Sequence, residues 1–202
     1  MAKLLVNYEK QLADAKMPAG KKKVLTTALK LFAEKGFHAT TTALIAKRAG
    51  VSEGTIYKYF SSKDELLSKL LQPILTDIKN SFFSNLDKEK DLPTLVHFIV
   101  TDRISFIQAN FDFIKVIFQG ILTNEPDYED YLTGPDGILK VLADLQARYP
   151  EINQNLSQTQ LARIFMGPIL VYVLQSKLLG LPVEDNDLDL IEKEILLTLT
   201  AK

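Results

Sequence analysis

Residues 41–63, with the sequence TTALIAKRAGVSEGTIYKYFSSK, constrain the fold of this chain more than any other stretch. Their pattern predicts two short helices on either side of a tight turn. Thr41 and Thr42 supply hydroxyl groups that can cap the start of a helix, and Gly50 can adopt the positive φ that ends one. Ser52 stands where the second helix needs a cap. This arrangement is typical of a helix-turn-helix, whose second helix can enter the major groove of DNA.

The second of these helices, predicted over 54–60, carries residue types that suit a nucleic-acid surface. Ile56 and Phe60 are four residues apart and share its predicted buried face. Hydroxyl groups and a glycine at its N-terminal end allow close approach of the backbone, and tyrosines and lysines follow within reach of phosphates. A turn in an ordinary helical core is the alternative, but it would leave Tyr57, Lys58 and Tyr59 on the surface with nothing to bind.

Charge is distributed unevenly along the chain, although the net charge is only −1. The first 72 residues contain 13 Lys and Arg against 6 Asp and Glu, and the other 130 contain 11 against 19. A basic N-terminal third on an acidic body indicates that one end of the molecule meets phosphate.

Composition argues against a secreted protein, a membrane protein and an enzyme. The chain has no cysteine and no secretory signal, and its longest uncharged apolar stretch, 164–176, is shorter than the ~20 residues that span a bilayer. We therefore predict a cytoplasmic protein with no membrane partner. With two distant histidines, no phosphate-binding glycine-rich loop and no metal-ligand spacing, we expect no catalytic residues, no metal and no cofactor.

Helical periodicity and helix caps continue through the rest of the chain. Capping boxes at Ser62–Glu65 and Ser157–Gln160 open two of the helices, and Pro73 is expected to bend or divide the first of these two. The predicted helices outside the helix-turn-helix cover 21–35, a span that begins at 63, 93–122, 138–149, 157–179 and 187–200.

Residues 21–67 resemble the DNA-binding domain of the TetR-type transcriptional regulators. The resemblance is carried by the runs LFAEKGFHATTTALIAKRAGVS and GTIYKYFSSKDELL. It implies an all-α fold with an N-terminal three-helix domain containing the helix-turn-helix, followed by a C-terminal helical domain for ligand binding and dimerisation. We expect an arm over 1–19, either mobile or loosely helical, the DNA-binding domain over 20–67 and the ligand-binding domain over 68–202.

The same resemblance implies roles for particular residues. Ser52, Gly54 and Thr55 match the end of the recognition helix nearest the base edges, and Tyr57 and Tyr59 match positions that touch phosphates. The predicted DNA-binding residues are Thr42, Lys47, Ser52, Gly54, Thr55, Tyr57, Lys58, Tyr59 and Lys63. Glu53 departs from the more basic residues common near this position. It could cap the helix, accept a hydrogen bond from a cytosine amine or have no role, which leaves the operator sequence open.

A second site is expected in the C-terminal domain. The helical span 93–122 is rich in phenylalanine, and although most such side chains belong to the core, together they suit an apolar cavity for a small molecule. The candidate ligand-binding residues are His97, Arg103, Phe106, Phe118, Tyr128 and Phe165.

The last two helices are apolar on several faces, which favours burial against a second copy of the chain. In the TetR-type family these helices form the dimer interface, so we expect a homodimer on a double-stranded, near-palindromic DNA operator. The function that follows is a repressor released by a small apolar ligand. Three alternatives stay open: an activator, a regulator controlled by a protein partner, and a helical ligand-binding or scaffold protein without working DNA binding.

Overall fold

The computed structural model describes residues 8, 10–12, 14–86, 88–122, 134, 137–184 and 186–201. Tyr128, one of the candidate ligand-binding residues, lies outside them. The described residues form helices and turns with no strand among them, which confirms the all-α prediction. Within these segments, no helix combines the length and hydropathy needed to cross a membrane.

The helices are numbered here in chain order. They are α1 (Ala19–Lys35), α2 (Thr42–Ala49), α3 (Glu53–Tyr59), α4 (Lys63–Leu86), α5 (Leu92–Ala109), α6 (Phe111–Leu122), α7 (Ile138–Arg148), α8 (Gln158–Lys177) and α9 (Asp187–Thr200).

Local caps determine where several of these helices begin. Ser157 and Gln160 form the predicted capping box in both directions at the start of α8. At the start of α4, Ser62 accepts from the Glu65 backbone N–H at 2.9 Å, as predicted. The Glu65 carboxylate, however, accepts from the backbone N–H of Ser61 at 2.6 Å and from the Ser61 hydroxyl. In the capping box at α4, the carboxylate therefore binds Ser61, one residue before the Ser62 that caps the helix.

The chain packs into two compact units. The first comprises Met1–Lys79 and Ala109–Asp127, and the second comprises Asn80–Gln108 and Tyr128–Lys202. The sequence-based boundary at residue 67 falls inside α4, which runs unbroken from Lys63 to Leu86. Pro73 therefore does not divide this helix.

In the first unit, α1 packs against α2, α3 and α6. Its core includes the fully buried side chains of Leu29, Phe32, Ile45, Ile56 and Phe60. In the N-terminal arm, the described residues 8, 10–12 and 14 are helical. Tyr8 and Leu12 are buried, and burial raises the pKa of Tyr8 to about 12.

Residues 93–122, which are predicted to be helical, lie in two helices, α5 and α6. Asn110 separates them, and its carbonyl accepts from the backbone N–H groups of Phe113 and Ile114 at 2.9 and 3.0 Å to start α6. The Asn110 side chain is itself buried. The break places α5 in the second unit, and α6 in the first.

In the second unit, α8 packs against both α7 and α9. Their apolar side chains and those of α5 form one core, which includes Ile99, Leu145, Phe165 and Ile195. Tyr149 is buried after α7 and donates from its hydroxyl to the Glu89 carbonyl at 2.9 Å.

Candidate nucleic-acid interface

The helix-turn-helix is held by local caps and a closed apolar core. The Thr41 hydroxyl accepts from the Leu44 backbone N–H at 3.1 Å at the start of α2. Gly50 ends that helix in the left-handed conformation at φ 66°, where a residue with a Cβ is strained. Ile45 and Ile56 are fully buried between the helices. These contacts hold α3 in place while leaving its polar residues on the outside.

The N-terminal end of α3 presents small polar groups. Ser52 caps the helix, since its hydroxyl accepts from the Thr55 backbone N–H at 3.2 Å. The Ser52 and Thr55 hydroxyls also share a hydrogen bond at 2.9 Å. Gly54 is exposed. Among the described residues outside the backbone of α3 and the neighbours of Gly54, a Cβ at this position would have only the Ser52 hydroxyl oxygen within 4 Å, at 3.8 Å. This end of α3 can therefore approach another molecule closely.

Tyr57 and Thr42 are neighbours across α2 and α3. The Tyr57 side chain is 53% exposed, and its hydroxyl lies 3.4 Å from the Thr42 hydroxyl oxygen. Thr42 in turn donates a hydrogen bond to the Glu53 carboxylate. The structure thus brings two predicted DNA-binding residues together with Glu53, which was outside the predicted set.

Tyr59 lies on the side of α3 that faces the start of α1. A Cβ built on Gly20 would sit 3.7 Å from the Tyr59 hydroxyl and 3.6 Å from the Thr55 methyl group. The Lys58 ammonium lies 5.9 Å from the centroid of the Tyr59 ring. Lys58 is exposed, as are Lys47 and Arg48 on α2, so both helices present cationic side chains to the outside.

Lys63 has partners inside its own unit. Its ammonium donates to the carbonyl oxygens of Phe37 and Thr40 at 2.9 and 3.1 Å, and it lies 4.1 Å from the centroid of the Phe37 ring. This lysine therefore ties the start of α4 to the loop between α1 and α2. An ammonium group has three donors, so one N–H remains beyond these two carbonyl contacts.

The candidate ligand-binding residues do not form one cluster. Arg103 and Phe106 lie together on α5, with the guanidinium carbon 4.8 Å from the centroid of the Phe106 ring. The same carbon lies 3.9 Å from the centroid of the Phe82 ring, and Arg103 Nε donates to Asp102 at 2.8 Å.

The other candidates are dispersed. His97 is exposed and pairs with Glu192 of α9 at 2.9 Å. Phe165 is buried in the core of the second unit, whereas Phe118 is 42% exposed in the first. Over the described segments, no group of three His, Asp or Glu side chains could hold a metal ion.

A further surface lies on the last two helices. Large apolar side chains are exposed on α8 and α9, namely Met166, Val171, Leu190 and Leu197. A groove of about 450 Å³ is lined by side chains of both helices, among them Ile164 of α8 and Thr198 of α9. This is the surface on which the sequence predicts contact with a second copy.

Comparison with known proteins identifies a family model that matches the helix-turn-helix region. Residues 24–70 match the family model of bacterial regulatory proteins of the tetR family. Two relatives from Bacillus subtilis (strain 168) are uncharacterized HTH-type transcriptional regulators. YvdT is 28% identical over 107 residues, which are 52% of this chain and 55% of YvdT. YvkB is 28% identical over 167 residues, which are 79% of this chain and 84% of YvkB.

The match to YvdT thus spans about half of that relative's length. Among solved structures, the transcriptional regulator FadR from Bacillus subtilis, in complex with stearoyl-CoA, superimposes with a TM-score of 0.60. The superposition covers 89% of this chain and 98% of FadR at 18% sequence identity, so it shows a shared fold. Residues 24–70 are thus similar to the tetR family of bacterial regulatory proteins, and the fold of the chain is similar to that of solved transcriptional regulators.

Proposed function

We propose that the protein is a repressor that binds a near-palindromic DNA operator as a homodimer and leaves it when a small apolar ligand binds. The observation that best supports this proposal is the outer surface of α3. Its caps and buried core fix the helix, and its hydroxyl, tyrosine and lysine side chains point away from that core. Such a regulator acts on chromosomal DNA, so we propose a cytoplasmic location.

The residue roles follow from position on α3 and α2. Ser52, Gly54 and Thr55 at the N-terminal end are nearest the base edges, because a recognition helix enters the groove with that end. Tyr57 and Tyr59 donate to phosphates on the flanks. Lys47 and Lys58 add charge contacts to the backbone, which fix register without reading sequence.

Thr42 and Lys63 are proposed to contact phosphate, although each has a contact inside the protein. The Thr42 hydroxyl donates its single hydrogen to Glu53 in the free protein, so a phosphate contact requires this hydroxyl to turn away from Glu53. Lys63 can donate its third N–H to phosphate while it keeps both carbonyl contacts.

The homodimer is proposed to form through α8 and α9. Leu197 is 72% exposed and Val171 is 61% exposed, which are unusual environments for large apolar side chains in helices that also supply core residues. In such a homodimer the two copies of α3 would read half-sites about 34–36 Å apart, or a multiple of that distance.

As the specific ligand we propose a long-chain fatty acyl thioester of coenzyme A, in which the acyl chain is the apolar part and the coenzyme A group is anionic. Two observations support this class: the fold likeness to FadR with its bound stearoyl-CoA, and the extended apolar core of the second unit. Arg103 is the cation among the candidate residues that could meet an anionic group of such a ligand. In this scheme the ligand binds the DNA-incompetent conformation better and shifts the population away from the operator.

The ligand proposal is tested by thermal unfolding and by release of DNA. Stearoyl-CoA at 100 times its Kd should stabilise the protein by about 2.7 kcal/mol and should lower the fraction of operator bound. Coenzyme A alone is the control and should do neither to the same extent. If stearoyl-CoA produces neither effect, this ligand class is wrong.

Tyr57→Phe tests the phosphate contacts. Because a hydrogen bond to a charged group contributes ~1.5–3 kcal/mol, we expect DNA affinity to fall by a factor of about 10 to 150 for every sequence alike. The hydroxyl is exposed, so the free energy of unfolding should change by less than about 0.5 kcal/mol. Tyr172→Phe, a half-buried tyrosine of the second unit, is the matched control. Unchanged DNA affinity of the Tyr57→Phe variant would show that the Tyr57 hydroxyl does not contact phosphate.

A further inference from the structure

Glu53 is the first residue of α3, but its carboxylate does not cap that helix. Ser52 performs this role, since its hydroxyl accepts from the Thr55 backbone N–H. The Glu53 carboxylate instead accepts a hydrogen bond from the Thr42 hydroxyl of α2. That hydroxyl oxygen lies 3.4 Å from the Tyr57 hydroxyl. An exposed glutamate is thereby anchored among proposed DNA-contacting side chains.

The charge of Glu53 is unfavourable next to a phosphate backbone. It is the one acidic residue over 42–59, a stretch that also contains Lys47, Arg48 and Lys58. Binding of DNA gains free energy when cations neutralise phosphates and release counterions, and a carboxylate at the same surface opposes that gain. A carboxylate here can favour binding only through a hydrogen-bond donor on the DNA.

The major groove offers such donors on two bases. Cytosine presents its N4 amine, and adenine presents its N6 amine beside the N7 acceptor. Guanine offers two acceptors on its major-groove edge, and thymine offers one acceptor and a methyl group. A carboxylate only accepts hydrogen bonds, so it is repelled by guanine and by adenine N7. Cytosine is the base whose edge gives it a donor without an adjacent acceptor.

We propose that Glu53 is a specificity residue, which accepts a hydrogen bond from the N4 amine of a cytosine at one position in each half-site. Thr42 is then a positioning residue that holds the carboxylate through its hydroxyl, and this role replaces its phosphate contact. This inference rests on the proposed function, because it requires that the N-terminal end of α3 faces the base edges. It adds a base preference to that function and assigns it to one side chain.

The test is selection of bound DNA from a randomised library by the full-length protein. Wild type should enrich sites with cytosine preferred by about fivefold or more at one position of each half-site, the factor expected for about 1 kcal/mol of discrimination. Glu53→Ala should reduce that preference below about twofold and leave the other positions unchanged. Glu53→Gln should move the preference toward adenine, because glutamine pairs with the adenine N6 and N7 groups.

Glu34→Gln is the matched control, since it removes one negative charge from an exposed position near the end of α1. Its selected sites should equal those of wild type. Non-specific affinity at low salt should rise for Glu53→Ala more than for Glu34→Gln, because only the first change removes a carboxylate from the proposed DNA surface.

The outcomes separate the two proposals. If wild type enriches a palindromic site and Glu53→Ala enriches the same site with the same cytosine preference, the role of Glu53 is wrong and the regulator proposal stands. A loss of preference spread over all positions would likewise overturn the role of Glu53. If folded wild-type protein enriches no sequence, the proposed function fails, and this inference fails with it.

Discussion

The Lys63 ammonium donates to two carbonyl oxygens within its own unit. The acceptors belong to Phe37 and Thr40, 26 and 23 residues earlier in the chain. Sequence pattern placed Lys63 correctly at the start of a helix, but the carbonyl groups come from a distant loop that no local pattern connects to it. The contact between Glu53 and Thr42 could not be predicted for the same reason, since the two residues are 11 positions apart and lie on different helices.

Lys63→Met should destabilise the protein as well as weaken DNA binding. Loss of the ammonium leaves two half-buried carbonyl groups without this donor, which costs about 1–3 kcal/mol. Urea unfolding measures this cost. Lys69→Met, on the exposed side of α4, is the control and should lie within about 0.5 kcal/mol of wild type. Equal stability of both variants would show that Lys63 does not tie α4 to the preceding loop.

The Glu65 carboxylate has a lowered pKa because it accepts hydrogen bonds from the Ser61 hydroxyl and then from the Ser61 backbone N–H. The folded-state pKa lies below the ordinary value, so the charged carboxylate stabilises the fold at neutral pH. That contribution is lost as pH falls through the folded-state pKa. Ser61→Ala should raise the pKa of Glu65 part of the way to its ordinary value in an NMR titration. An unchanged pKa would mean that the hydroxyl contact is absent in solution.

Helix starts were largely predictable because their signals are local. Ser52 and Ser157 each accept from a backbone N–H three residues later, as their positions in the sequence indicate. The break between α5 and α6 was missed, since Asn110 follows an apolar helical pattern with no glycine or proline to mark an end. The two helices belong to different compact units, and tertiary packing of this kind is not encoded in a short stretch of sequence.

Gly50 provides a test of the turn between α2 and α3. Its φ of 66° is left-handed, and among the described residues, its two chain neighbours aside, a Cβ there would meet no atom within 4 Å, so the cost of Gly50→Ala is conformational. We expect a loss of about 1–2 kcal/mol in the free energy of unfolding. Gly50→Asn should cost less, because asparagine tolerates this conformation better. Urea unfolding that ranks asparagine with or below alanine would contradict the left-handed assignment.

The two ends of the chain present different surfaces. The first unit displays the polar face of α3, and the second displays apolar side chains of α8 and α9. Sequence pattern anticipated both surfaces from residue type and periodicity. The ligand-binding assignment stays a prediction: Arg103 and Phe106 are in contact, while Phe118 belongs to the other unit. Residue type alone does not distinguish the buried Phe113 from Phe118, which is 42% exposed.

Leu197→Asp tests the proposed homodimer. Since Leu197 is 72% exposed, a charge there should leave the helical content intact and convert a dimer to a monomer in analytical ultracentrifugation at micromolar concentration. Ile195→Asp is the contrasting variant, because Ile195 is fully buried and a charge there should unfold the second unit. Wild type that sediments as a monomer would refute the dimer.

Specific recognition of DNA through α3 is tested most directly by fluorescence anisotropy on the DNA upstream of the protein's own gene. The measurement is made at two salt concentrations with excess competitor DNA. We predict tight binding that survives the competitor and weakens as salt rises, because released counterions contribute to affinity. Binding that is weak and equally abolished by competitor, there and on every fragment recovered from a genome-wide selection, would contradict a sequence-specific regulator.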